Sequence, residues 1–254
     1  MNIIITAGGT RERIDSVRAI TNEATGRLGS MIAEEFSQRL TDKKYQIYYI
    51  CGMNAATPKV KEENLSIIRI EGTSQLLGEM EELLTKQKIN AVIHSMAVSD
   101  YRVSSITTLE LAAQSLYQKL TAGPNNVTYE ELQLAMLQAV KEQTLMEHKI
   151  SSNLENPLLL LEKTPKIIGI IKKISPETKL VGFKLLSDVS KEELFETAFG
   201  LLQRNQCDYV LANDNAEISE DRHVGYLFDK AGDYQTFTGK AEIAKGIVDC
   251  ILKS

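Results

Sequence analysis

Residues 1–12 read Met1-Asn2-Ile3-Ile4-Ile5-Thr6-Ala7-Gly8-Gly9-Thr10-Arg11-Glu12, an apolar run that stops at a pair of glycines. Consecutive isoleucines favour an extended backbone, because a branched Cβ crowds a helix and packs well on a pleated surface. The run is uniformly apolar rather than alternating, which predicts a strand covered on both faces, as in a parallel sheet. Glycines straight after such a strand let backbone N–H groups approach an anion, and Thr10 and Arg11 can add a hydroxyl and a guanidinium. A bare tight connection would use the same residues. The turn is neither a Gly-x-Gly-x-x-Gly motif nor a P-loop, since no Gly-Lys-Ser/Thr follows.

Further along, short apolar runs alternate with longer amphipathic ones. Strands are expected at Asn2 to Thr6, Gln46 to Cys51, Ser66 to Ile70, Ala91 to His94, Leu180 to Phe183 and Asp208 to Ala212. Helices are expected at Leu28 to Leu40, Ser74 to Lys86, Lys191 to Gln206 and Lys240 to Leu252. This rhythm predicts an α/β fold with a doubly wound, mostly parallel, Rossmann-like sheet. Gly225 to Asp229 and Tyr234 to Thr238 flank Ala231-Gly232-Asp233, a hairpin signal that adds an antiparallel edge. Thr107 to Lys119 and Thr128 to Gln143 break the rhythm as two helix-period segments around the turn cluster Ala122-Gly123-Pro124-Asn125-Asn126. The expected organisation is one domain over 1–254, with a helical hairpin inserted at about 103–147.

Composition narrows the function classes. The 254 residues carry 29 basic and 34 acidic side chains, a net charge of −5, with 43% apolar residues, enough for a substantial core. No long run of like charge marks a nucleic-acid or membrane-surface partner, and no apolar run of about 18 residues spans a bilayer. Cys51, Cys207 and Cys250 form no Cys-x-x-Cys pair, so spacing gives neither a disulfide framework nor a zinc site, and no metal ligand is assigned. The N-terminus lacks a secretory pattern, so a cytoplasmic protein is expected.

Four further segments carry candidate chemistry. Arg18-Ala19-Ile20-Thr21-Asn22-Glu23-Ala24-Thr25-Gly26-Arg27-Leu28-Gly29 leads into a helix whose free N–H groups form a second anion seat; alternatively, Asn22 or Thr25 merely caps that helix and Gly29 lets it pack closely. His94 to Tyr101 follows a strand end, where open sheets carry ligands, and Asp100 suits a ribose hydroxyl or a hydrated metal. His94 itself reads better as a strand residue satisfied by its neighbours than as a base. Lys149, in His148-Lys149-Ile150-Ser151-Ser152, reads by composition as a solvated loop lysine, although a loop lysine can also neutralise charge building on a polyphosphate. Phe183 can stack on a base or join the core, while Asn213 and Asp214 can bind polar groups or form an Asx turn.

In their order, these segments resemble phosphopantothenate-cysteine ligase, a coenzyme A pathway family, in its free-standing bacterial form. The resemblance is carried by Thr6 to Glu12, Arg18 to Gly29, Ala97 to Tyr101, Lys149-Ile150, Gly182-Phe183 and Ala212 to Asp214, and covers nearly the full chain apart from about Val103 to Glu147. It implies a two-step amide synthesis that joins 4′-phosphopantothenate to L-cysteine through an acyl nucleotide, with CTP favoured over ATP as cosubstrate and Mg²⁺ bridging its phosphates. Asn22 would bind the acyl nucleotide and assist aminolysis, Arg18 would hold the phosphorylated substrate or its carboxylate, and Lys149 would offset charge at the α-phosphate. Gly8, Gly9, Thr10, Thr25, Gly26 and Gly29 would cradle phosphates, Ala97 would line the pocket, and Asp100 and Phe183 would contact the nucleotide. Family members are homodimers, and a separate decarboxylase is expected for the next pathway step. Two features depart from the pattern. Ala24-Thr25 replaces the family's Ser-Ser, and Leu201, Arg204 and Asn205 stand where the fused bacterial form has lysines. A nicotinamide-dependent oxidoreductase on a related sheet lacks support from a Gly-x-Gly-x-x-Gly or Tyr-x-x-x-Lys motif. A non-catalytic nucleotide-binding module is the other alternative, since no single general base stands out.

Overall fold

In the computed structural model Ile3, Ile4 and Ile5 are wholly enclosed. Burial of each such side chain contributes about 1.5–3 kcal/mol, so the opening strand anchors the core. The structure describes residues 1–122, 127–145, 149–218 and 222–253. In chain order the elements begin β1 (Asn2–Ala7), β2 (Arg11–Arg13), β3 (Ala19–Thr21), α1 (Arg27–Arg39), β4 (Gln46–Gly52), β5 (Leu65–Ile70), α2 (Thr73–Lys86) and β6 (Ala91–His94). They continue β7 (Tyr101–Thr108), α3 (Leu109–Thr121), α4 (Tyr129–Glu142), β8 (Pro157–Lys163), α5 (Ile168–Ile174) and β9 (Lys179–Leu186). The chain ends with α6 (Lys191–Arg204), β10 (Tyr209–Asp214), β11 (Val224–Asp229), β12 (Tyr234–Thr238) and α7 (Lys240–Lys253).

The chain divides into two compact units. The first comprises Met1–Thr10, Asn22–Val98 and Pro165–Ser254, and holds an eight-stranded sheet in the order β12-β11-β10-β9-β6-β1-β4-β5. From β10 to β5 every neighbouring pair is parallel, while β11 and β12 run antiparallel at the edge. The expected doubly wound sheet and its edge hairpin are therefore both present. Ile32, Ala33 and Phe36 of α1 share one apolar layer with Ile243, Ile247 and Ile251 of α7. Leu76 and Met80 of α2, Ile171 of α5, and Leu194 and Ala198 of α6 belong to the layer on the opposite side. From β1 the chain first builds towards β4 and β5, then restarts at β6 on the other side. The β1/β6 boundary is thus the switch point at which open α/β sheets bind ligands.

The second unit comprises Arg11–Thr21 and Ser99–Thr164. Within it β2 pairs with β3, and β7 pairs with β8 across a bulge at Val103/Ser105. The expected helical pair is present as α3 and α4, together with strands that sequence reading passed over. Thr107 and Thr108, expected to open a helix, instead close β7, and Thr108 caps α3 by accepting from the Leu111 N–H at 3.2 Å. A threonine hydroxyl satisfies an orphan helix N–H while its branched Cβ keeps the preceding backbone extended. Thr128 and Glu131 form a reciprocal capping box at α4. Gly123 to Asn126 lie outside the described residues, as do Glu147 and His148. Among the described residues no helix is long and apolar enough to cross a membrane.

Candidate active site

The first unit presents its chemistry at the carboxyl ends of β1, β4 and β6. Gly8 follows β1 with φ +79°, a left-handed conformation that glycine adopts without strain. Its carbonyl accepts from the Ala97 N–H at 2.8 Å, and the Ala97 carbonyl accepts from the Thr10 N–H at 3.1 Å. The turn after β1 and the segment after β6 are thereby joined across the switch point. Thr10 was expected to offer a hydroxyl to a phosphate, but it is fully buried and helps build the wall behind the turn. A Cβ on Gly9 would lie 2.1 Å from the Asn22 carbonyl oxygen, so only glycine lets Asn22 cross there. Among the described residues the Asn22 side-chain amide has no hydrogen-bond partner, and Asn22 is half-buried.

Helix α1 starts beside this turn. Gly26 precedes it with φ +72°, contributes no side-chain cap, and no acidic residue occupies the first turn. Thr25 accepts from the Arg27 N–H at 3.4 Å through its hydroxyl, leaving the Leu28 and Gly29 N–H groups without an acceptor among the described residues. Asn22 makes no cap to the helix, and Thr25 satisfies only the Arg27 N–H. These unpaired donors, together with the positive end of the helix dipole, favour an anion. A Cβ on Gly26 would come within 3.1 Å of the Gly8 nitrogen and 3.0 Å of the Ala55 Cβ, so the two turns pack closely against each other and against Ala55. Gly29 packs tightly: a Cβ there would sit 2.7 Å from that of Ala7 and 3.0 Å from the Ser95 hydroxyl. Its glycine is required by helix–strand contact, as the alternative reading had it.

Sequence reasoning missed a third wall, residues 52–56 after β4. The Ala56 N–H donates to the Thr25 carbonyl at 2.9 Å, and the wholly buried Tyr49 hydroxyl donates to the Ala56 carbonyl at 2.8 Å. Burial raises the Tyr49 phenol well above its ordinary value, which keeps it a donor. Arg69 Nη1 donates to the carbonyls of Gly52 at 3.0 Å and Met53 at 2.8 Å. The missed signal was Gly52 at the end of an apolar strand, the same pattern that marks Gly8.

Other candidates make structural contacts. His94 is buried; its Nδ1 lies 3.0 Å from the Thr6 hydroxyl, and burial pulls the imidazole down to about 4. It is the satisfied strand residue that the sequence favoured. Phe183 is partly buried against the α1/α7 layer. The Asn213 amide donates to the Val224 carbonyl at 2.6 Å, and Asp214 accepts from the Ala216 N–H at 2.9 Å, so both serve turn and sheet-edge chemistry.

The second unit holds Arg18, Asp100 and Lys149. Arg18 Nη2 donates to Asp15 at 2.6 Å and to the Ile150 carbonyl at 2.7 Å, which brings Arg18 beside the residue that follows Lys149. Lys149 and Asp100 are exposed, and the Asp100 carbonyl accepts from the Thr164 N–H at 3.0 Å. Among the described residues no group of three or more histidine, cysteine or acidic side chains is arranged to hold a metal.

A model of the DNA/pantothenate metabolism flavoprotein C-terminal domain matches residues 1–125 and again 113–254. The chain belongs to this family. Its two matches together run through the helical pair. Among curated relatives, the coenzyme A biosynthesis bifunctional protein CoaBC of Thermococcus kodakarensis is 30% identical over 256 residues, covering 99% of this chain and 51% of the relative. The CoaBC protein of Haemophilus influenzae is 27% identical over 261 residues, covering 100% and 52%. The chain spans about half the length of the curated relatives it matches. Among solved structures, the DNA/pantothenate metabolism flavoprotein from Streptococcus pneumoniae superposes with a TM-score of 0.79 at 38% identity, covering 100% of this chain and 99% of that one. A Cab2 variant in complex with phosphopantothenate-cysteine shares the fold, with a TM-score of 0.67 at 17% identity over 99% of this chain and 85% of that one.

Proposed function

We propose that this DNA/pantothenate metabolism flavoprotein C-terminal domain is a ligase of coenzyme A biosynthesis that joins 4′-phosphopantothenate to L-cysteine. The observation that carries the reading is the meeting of the Gly8 turn with the start of α1, where backbone N–H groups lack a side-chain cap and the first turn carries no acidic residue. Such a surface suits the phosphates of a nucleoside triphosphate. A carboxylate is a poor electrophile at neutral pH, so the substrate must be activated before an amine can attack. In the first step a carboxylate oxygen attacks the α-phosphorus, the bond from that phosphorus to the bridging oxygen breaks, and pyrophosphate leaves. In the second, the cysteine nitrogen attacks the acyl carbon and loses a proton, and the nucleoside monophosphate departs with the former carboxylate oxygen.

Lys149 offsets negative charge at the α-phosphate in the first step. Asn22, whose amide has no partner among the described residues, donates to the acyl oxygen in the second without adding fixed charge. Arg18 holds the phosphate or carboxylate of the substrate. Gly8, Gly9, Thr25 and Gly26 serve the phosphates, Ala97 lines the pocket, and Asp100 and Phe183 contact the nucleotide, which is CTP in preference to ATP. Mg²⁺ bound with the triphosphate would offset charge on its oxygens, while the start of α1, with no acidic residue in its first turn, would hold the phosphates. The working form is a cytoplasmic homodimer, and a decarboxylation step consumes the product.

A side-by-side assay of CTP and ATP with phosphopantothenate, cysteine and Mg²⁺ tests this reading by following pyrophosphate. CTP is expected to support the faster release, and no pyrophosphate with either nucleotide would refute it. Lys149→Gln is expected to slow the first step, and Asn22→Asp to let acyl nucleotide accumulate. If both variants turn over like wild type, the roles assigned to these residues are wrong.

A further inference from the structure

Asp15 takes no part in the chemistry proposed above, yet it is the most heavily bonded carboxylate beside Arg18 and Lys149. One oxygen, Oδ1, accepts from the Val17 N–H at 2.9 Å and the Arg18 N–H at 2.8 Å, an Asx-type turn. The other, Oδ2, accepts from Arg18 Nε at 2.9 Å, Arg18 Nη2 at 2.6 Å and the Ile150 N–H at 3.2 Å. The Ile150 carbonyl in turn accepts from Arg18 Nη2, so Ile150, the residue after Lys149, is gripped at both its N–H and its carbonyl.

We propose that Asp15 is a positioning residue for the ligase reaction, setting the Arg18 guanidinium and the backbone at Lys149 in one shared arrangement. The turn alone requires only Oδ1. The second oxygen serves partners that include Ile150, 135 residues away in sequence. Five donors fill the roughly four lone-pair sites of a carboxylate, and the side chain is 1% exposed, so Asp15 has no capacity left for substrate, metal or proton transfer. The Val17 N–H and the other donors hold its carboxyl far below the usual carboxylate range, so the grip does not loosen at working pH. Arg18 remains 48% exposed despite these bonds, and Nη1 has no partner among the described residues, leaving that edge of the fork for an anionic substrate.

The inference rests on the proposed roles of Arg18 and Lys149, and the test separates the two. In Asp15→Asn the amide oxygen can satisfy the turn, but its NH₂ then faces the Arg18 and Ile150 donors. In Asp15→Ser the hydroxyl keeps one acceptor for the turn and nothing replaces Oδ2. Both variants are compared with wild type for circular dichroism, for exchange of the Ile150 amide proton, and for kcat and KM of pyrophosphate release. Folded variants are expected to lose roughly 10- to 100-fold in kcat, with KM for the nucleotide shifted less than about threefold. Ile150 exchange should accelerate at least about tenfold. In a Lys149→Gln background the further loss should be under about threefold, because both changes remove one shared arrangement. Losses that multiply fully with Lys149→Gln, wild-type kcat in folded variants, unchanged Ile150 exchange, or failure of both variants to fold would each overturn the proposal. Absence of pyrophosphate from the wild type would instead overturn the ligase reading, with Ile150 exchange still deciding the fate of the clamp.

Discussion

Replacing Gly9 with alanine tests how the turn after β1 fixes Asn22. Gly9 does not adopt a left-handed conformation, so its backbone tolerates a side chain and the objection to Ala is purely steric. The new Cβ would meet the Asn22 carbonyl oxygen at 2.1 Å, whereas ordinary contact begins near 3.4 Å, so the Asn22 backbone must retreat by the difference of about 1.3 Å. Forced overpacking of this kind costs about 1–3 kcal/mol. At about 2–4 °C per kcal/mol for a chain of this size, Tm should fall by roughly 2–12 °C. Misplacing a reacting group by about 1 Å can cost about 100-fold in rate, so kcat/KM for phosphopantothenoylcysteine formation should fall by about that factor in protein that is still folded. Differential scanning fluorimetry and a coupled pyrophosphate assay read the two effects. Wild-type Tm and wild-type turnover together would refute the steric argument; a lowered Tm with unchanged kcat would refute the role of Asn22.

Three further outcomes are expected. Gly78 sits exposed within α2 with nothing within 4 Å of an added Cβ, so Gly78→Ala should raise stability in urea by about 0.5–1 kcal/mol and leave activity untouched. Burial depresses the His94 imidazole from 6.5 to about 4, so the unfolded chain binds its proton first as pH falls. That contribution is whole above pH 6.5 and is lost between 6.5 and 4, amounting to about 3 kcal/mol, and urea titrations of His94→Gln at pH 7 and pH 4.5 should show a flatter dependence than wild type. Thr128→Ala removes the capping box of α4 and should cost about 1 kcal/mol, seen as a lower urea midpoint, without altering kcat.

The parallel sheet was legible because its strands are apolar on both faces, a pattern that neither an exposed strand nor an amphipathic helix produces. Gly8 was legible for a related reason, since a glycine directly after an apolar strand marks a place where backbones meet, and Gly26 stood out just ahead of an amphipathic helix; Ala97 was named only through the family resemblance. The β7/β8 ribbon was not. Leu158 to Leu161 suit a helix as well as a strand; five of the seven β8 residues are exposed, and Leu159 and Leu161 among them are as apolar as the half-buried Leu158 and Leu160, so no alternation in the sequence betrays the pleat. Thr107 and Thr108 misled because a threonine cap belongs equally to the strand it ends and the helix it starts. Asp15 escaped notice because its two oxygens act differently: Oδ1 makes a local turn visible in Asp15-Ser16-Val17-Arg18, whereas Oδ2 reaches a partner that only the fold supplies. The role of residues 52–56 likewise depends on β4 lying next to β1, a neighbour relation that periodicity does not encode.

The central claim is that the acid is activated by nucleotidyl transfer before the amine arrives. Rapid-quench mixing of wild-type enzyme with phosphopantothenate, CTP and Mg²⁺, with cysteine withheld, tests it directly. The account predicts a burst approaching one pyrophosphate per active site, accompanied by an acyl cytidylate detectable by mass spectrometry, and continued turnover only when cysteine is added. Release of inorganic phosphate and CDP in place of pyrophosphate, or no burst until cysteine is present, would contradict it.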